Sequence, residues 1–156
     1  MADGTAARST APYAVVLGAY GVLAGTLAVL VRRRAPGRLP KLSPADVVML
    51  GLATFKLSRL VSKEKVLAPV REPFVAETSP GDGTELNSKP ARGGLRHVVG
   101  ELVTCPFCIS VWIATVLTAV FTMAPRAVRL AASCLGAVVI ADSSQYVYAR
   151  LRQDAP

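Results

Sequence analysis

The sequence predicts an all-α, polytopic membrane bundle of four transmembrane helices. Three observations carry that expectation. Apolar residues gather into runs long enough to cross a bilayer. Basic residues stand beside those runs, with Arg32, Arg33 and Arg34 after the first and Arg150 and Arg152 after the last. That is the flanking pattern membrane insertion produces. Hydrophobic residues make up 52% and charged residues only 18%, with a mean hydropathy of +0.43, whereas a soluble domain carries about 25% charged residues.

The same numbers exclude several classes. A length of 156 residues leaves room for one domain or one small bundle. The apolar content excludes a disordered chain, and three cysteines exclude a disulfide-stapled miniprotein. The net charge of +8 is compatible with nucleic-acid binding, but aromatic residues are only 6% and the charge sits beside apolar runs. Nucleic acid is therefore not an expected partner. The chain divides into an N-terminal helix with its basic connection at 1–42, a membrane domain at 43–152, and a short tail at 153–156. The membrane domain holds three helices and a long polar loop at 62–104.

The first run, 11–31, is 21 residues without a charge. At about 1.5 Å per residue it reaches about 31 Å, the thickness of a bilayer core. It is longer than a signal-peptide core and ends in three arginines, which favours a retained helix. Gly18, Gly21 and Gly25 offer a small-residue packing face. The second run starts well: Ser43 caps, Pro44 suits the first helical position, and Asp46 completes a capping box. With Lys56 and Arg59 snorkelling to the interface, 45–61 is just long enough to span. The alternative is three spans, with this segment lying on the membrane surface.

Residues 77–94 carry Pro80, Gly81, Gly83, Pro90, Gly93 and Gly94 among scattered charges, and read as a mobile loop. Leu95, Val98, Val99, Leu102 and Val103 then mark one face of a short amphipathic helix lying in the interface. The third span is placed at 106–124 and the fourth at 127–148, with Pro125 between them. Tyr146 and Tyr148 before Arg150 and Arg152 form an interfacial end.

Charge then sets orientation. With four spans, 11 Lys and Arg fall on the side of the long loop and both termini, against 7 on the other. With three spans the split is 15 against 3. Charge alone prefers three spans, while length and capping prefer four. Both arrangements place the long loop and the C-terminus in the cytoplasm.

Two features carry candidate chemistry. In Cys105-Pro106-Phe107-Cys108, Cys105 stands at the N-cap of the third span, where amides and the helix dipole favour a thiolate. The pair reads as structural, as redox-active, or, with His97, as a weak metal candidate. One C-x-x-C and one His fall short of the four ligands a closed zinc site takes. Cys134 reads as a small packing residue. Asp142 lies inside the last apolar span, where an ionisable group is costly. Lys56 and Arg59 are its expected partners in an intramembrane charge pair. Three functions remain open: a non-enzymatic helical partner or scaffold, a membrane thiol-disulfide oxidoreductase using Cys105 and Cys108, and a small transporter centred on Asp142. No cofactor is implied. The lipid bilayer is the expected surrounding, and a protein partner or homo-oligomer is the expected company.

Three segments stand out in order: Ala53-Thr-Phe-Lys-Leu-Ser-Arg-Leu-Val61, Ala68-Pro-Val-Arg-Glu-Pro-Phe74, and Gly100-Glu-Leu-Val-Thr-Cys-Pro-Phe-Cys-Ile-Ser-Val-Trp112. This order resembles a bacterial integral membrane protein family, domain of unknown function 1360, some members of which are labelled sporulation proteins. The resemblance covers roughly 43–150 and leaves the first span as an extension. It implies a multi-pass protein of the bacterial cytoplasmic membrane and strengthens the expectation that 45–61 spans. It supplies no substrate, no catalytic residue and no sporulation role for this chain.

Overall fold

The first apolar run, free of charge and of proline beyond its first turn, winds into one long helix, α1 (Ala11–Arg34). It belongs to a computed structural model that describes residues 10–34, 40–81 and 85–153. Arg8, Arg38 and the tail at 154–156 lie outside those residues. Ser43 then starts α2 (Pro44–Ser62) with the expected capping box: its side chain accepts from the Asp46 amide, and the Asp46 carboxylate accepts from the Ser43 amide. After α2 come a tight turn, α3 (Ala68–Arg71), β1 (Val75–Pro80), β2 (Leu86–Pro90), α4 (Gly94–Thr104), α5 (Pro106–Met123) and α6 (Pro125–Gln153).

α1, α5 and α6 are long and apolar enough to cross a membrane. α2 has 19 residues but carries Asp46, Lys56 and Arg59. It is nevertheless the central helix, in contact with both α5 and α6. Asp46 near its start reaches Arg129 near the start of α6, and Lys56 near its end reaches Asp142 in the C-terminal half of α6. α2 and α6 therefore run in the same direction. Leu50, Phe121 and Val128 form the buried apolar cluster, with Leu117 and Val120 packed against it. Small residues let the helices close up: Ala53 and Ala132 are buried, and Leu52 lies 3.6 Å from where a Cβ on Gly136 would stand.

α1 packs on α5 through Tyr20, whose ring meets Trp112 edge-on at 5.3 Å and whose hydroxyl is 2.9 Å from Thr115 Oγ1. None of its residues is buried. The glycine face expected to pack closely meets nothing: no atom lies within 4 Å of a Cβ built at Gly18, Gly21 or Gly25.

The all-α expectation needs one correction. Within 77–94, read as a mobile loop, the described residues hold strand: β1 and β2 pair as an antiparallel hairpin with Thr78 opposite Ser88 and Glu77 opposite Lys89. Lys89 Nζ donates to Glu77 Oε2 across the strands at 2.8 Å. Pro80 and Pro90 sit at strand ends, where a missing donor costs no internal ladder bond. The hairpin is fastened to the end of α2, where Leu86 N donates to Lys63 O at 2.8 Å, and its pairing runs on past the strands as Ala91 N donates to Phe74 O at 2.9 Å. α4 follows and turns Val98 and Gly100 inward. At Gly100 a Cβ would collide with the Phe74 carbonyl and crowd Pro90, so only glycine allows α4 this approach.

Candidate functional site

The hairpin and the turns that lead into it form an arm, 65–90, and most of the unusual chemistry gathers beside it at one end of the bundle. Lys56 lies two turns before the end of α2, and its ammonium donates to Glu64 Oε1 at 2.8 Å and to Asp142 Oδ2 at 3.0 Å. Its side chain is 12% exposed, that of Asp142 52%. Arg59 does not join them. Three residues beyond Lys56, it faces the hairpin instead, where it pairs with Glu85, and its guanidinium lies 5.7 Å from the Phe55 ring centroid. The expected partners of Asp142 are thus divided between two carboxylate groups. Phe55, Lys56, Arg59, Glu85, Asp142 and Tyr146 line a cleft of ≈ 610 Å³ between the ends of α2 and α6.

Cys105 is the N-cap of α5. Its sulfur accepts from the Cys108 amide at 3.3 Å and from the Cys108 thiol at 2.8 Å. Both are free thiols, and Cys108 is exposed. Burial pushes the Cys105 thiol up. The bonds from the Cys108 thiol and the amides of Cys108 and Phe107, helped by the charge on Lys63, outweigh it, and the net direction is down.

The structure does not bring His97 to this pair. Its Nδ1 is 2.8 Å from Ala91 O and its Nε2 is 3.3 Å from Glu101 Oε1. Among the described residues no group of three His, Cys, Asp or Glu stands close enough to hold a metal ion. Cys134 is also displaced from its expected role, since it lies exposed on α6 rather than packed.

Two charged residues escaped the sequence reading. Asp46, read only as a cap, is 5% exposed and takes a two-point contact from Arg129: Nε to Oδ1 at 2.7 Å and Nη2 to Oδ2 at 3.0 Å. An acid and a base in the first turns of two helices are the signal that points to it. Arg71, within the proline-bounded turn of Ala68-Pro-Val-Arg-Glu-Pro-Phe74, is 1% exposed. Nothing in the periodicity distinguishes it from a surface arginine.

Three helices long and apolar enough to cross a membrane, with a polar hairpin at one end, fit a membrane-associated class of protein. The chain belongs to the family DUF1360, described as a protein of unknown function, which matches residues 49–148. It is similar to the sporulation protein YjcA of Bacillus subtilis (strain 168), with 34% identity over 86 residues, covering 53% of this chain and 73% of that protein. No solved structure matches. The family match omits α1, the helix that buries nothing of itself in the bundle.

Proposed function

We propose that this is a four-span protein of the bacterial cytoplasmic membrane with a non-enzymatic role as a helical partner or scaffold, its hairpin arm facing the cytoplasm. The observation that carries the reading is the pairing of the charges in α2. Asp46 meets Arg129, Lys56 meets Glu64 and Asp142, and Arg59 meets Glu85. Each lies against an opposite charge from the chain itself, so α2 offers no isolated ion among the described residues to bind and release cargo. The span count is supported by α2 lying between α5 and α6 and contacting α6 near both of its ends.

The scaffold role rests on α6. At about 1.5 Å per residue its 29 residues reach about 43 Å, beyond the ~30 Å bilayer core. From Ile140 onward every described residue is exposed, including Tyr146, Tyr148 and Leu151. A helix from another membrane protein or a second copy covers this face. A photo-crosslinker at Tyr148 is expected to give one discrete protein adduct in native membranes, and adducts to lipid alone contradict the reading.

A thiol-disulfide oxidoreductase is the second reading, favoured by the thiolate-stabilising contacts of Cys105 beside an exposed Cys108. Oxidising the pair releases two protons and passes two electrons to an acceptor, either a partner disulfide or a quinone. Acid-quenched alkylation of native membranes separates the two. The scaffold role expects both thiols reduced and no mixed disulfide in Cys108→Ser; a trapped partner at Cys105 overturns it. The relative's name ties that protein to sporulation, and the proposal carries none of this to the present chain.

A further inference from the structure

Arg71 is the largest side chain the fold buries completely. Arginine is almost never fully buried unless paired, yet among the described residues no carboxylate pairs with it. Its Nη1 donates to the Val61 carbonyl in the last turn of α2 at 2.6 Å and to the Glu64 carbonyl just beyond it at 3.1 Å. Those two bonds fix the plane of the guanidinium. Nε and Nη2 are buried and have no acceptor. These two nitrogens share one edge of the guanidinium, the edge that grips two oxygens of one oxyanion side-on. Leaving them unpaired carries a full desolvation penalty on a charged group.

Arg71 lines a recess of ≈ 240 Å³ together with Pro69, Glu72, Val75, Thr78 and Ser88. Thr78 and Ser88 face each other across the hairpin, with hydroxyls 3.4 Å apart. Glu72 follows Arg71 directly in the turn and borders the same recess. It forms no pair with Arg71.

We propose that this recess binds a phosphate group. The free edge of Arg71 takes two of its oxygens, and the hydroxyls of Thr78 and Ser88 donate to others. A carboxylate offers the fork its two oxygens and then has none left for the hydroxyls except by sharing, so phosphate is the better match. The group comes from a phospholipid headgroup or from free phosphate, because the recess lies where the chain leaves the bundle. The site does not depend on how many helices cross the membrane.

The test uses the full chain in detergent, stripped of lipid. Inorganic phosphate is expected to bind saturably by calorimetry, and acetate at equal ionic strength much more weakly. Thr78→Val with Ser88→Ala leaves Arg71 in place and is expected to weaken phosphate about tenfold, as lost hydrogen bonds to a charged acceptor do. Arg71→Lys keeps the charge but loses the fork, and is expected to abolish binding while circular dichroism stays unchanged. Glu72→Gln removes a like charge from the wall and is expected to tighten it. Phosphatidylglycerol is added in a second arm and followed by native mass spectrometry. Retention that inorganic phosphate displaces identifies the headgroup as the source, and phosphate binding without retention identifies free phosphate. The proposal is overturned if neither binds the wild type, if the double variant binds unchanged, or if acetate binds as tightly as phosphate.

Discussion

The two ends of the bundle handle charge in opposite ways. At the end away from the arm, Asp46 accepts from the Ser43 amide at 2.9 Å, the Ser43 hydroxyl at 2.8 Å and two nitrogens of Arg129. Arg129 in turn lies 5.2 Å from the centroid of the buried Phe121 ring. Both oxygens of that carboxylate are engaged. At the arm end, one ammonium serves two carboxylates, a thiol is exposed, and a buried guanidinium keeps two nitrogens unpaired. The closed end joins α2, α5 and α6; the open end keeps unspent donors. Stability and chemistry are therefore expected to separate along the bundle.

Substitutions that sharpen this contrast rank in size. Phe121→Ala at the closed end opens a void beneath the Asp46–Arg129 pair. It is expected to cost about 3 kcal/mol in mixed-micelle unfolding, through lost packing rather than apolar transfer, because lipid is as apolar as the core. At the seam between arm and bundle, Gly100→Ala forces a methyl against the Phe74 carbonyl and is expected to cost about 2 kcal/mol. A near-silent Gly100→Ala breaks the fastening described for α4.

Smaller effects belong to the open end. Asp142→Asn is expected to cost only about 0.5 kcal/mol, because its side chain is half exposed and Lys56 keeps Glu64. Glu64→Gln is expected to cost about twice as much. A double-mutant cycle with Lys56→Gln checks the order, and a larger coupling to Asp142 than to Glu64 reverses it. Cys105→Ser is expected to stay within about 1 kcal/mol of wild type, since serine caps well. The Cys105 thiolate persists to lower pH than an ordinary thiol. Its alkylation profile is therefore expected to have a midpoint below that of an ordinary thiol and to move upward in Cys108→Ala, which removes the thiol donor.

Much of this was legible because membrane helices leave strong signals. The charge-free first run, the cap at Ser43, the break at Pro125 and the amphipathic stretch after Gly94 all appear as the spacing predicts. Cys105 also caps α5 as its place before Pro106 indicates. The hairpin was hidden because its strands are short and polar, with prolines at strand ends, so no apolar alternation marks them. The glycines of α1 misled for a related reason: a small-residue stripe shows that close approach is possible, not that this chain supplies the neighbour. Asp46–Arg129 and the burial of Arg71 are long-range facts. The partners are 83 residues apart in the first case, and in the second the burial comes from a turn folding back on the end of α2.

The most direct test of the contrast is which side of the membrane each end faces. With Cys105, Cys108 and Cys134 replaced by serine, single cysteines go in at Lys41, just before α2, and at Asn87 on the hairpin. Both native side chains are exposed. A membrane-impermeant maleimide on intact cells is expected to label Lys41→Cys at once and Asn87→Cys only after permeabilisation. That outcome puts α2 across the bilayer and the arm in the cytoplasm. Labelling of Asn87→Cys from outside contradicts the orientation, and protection of both sites contradicts the fourth span.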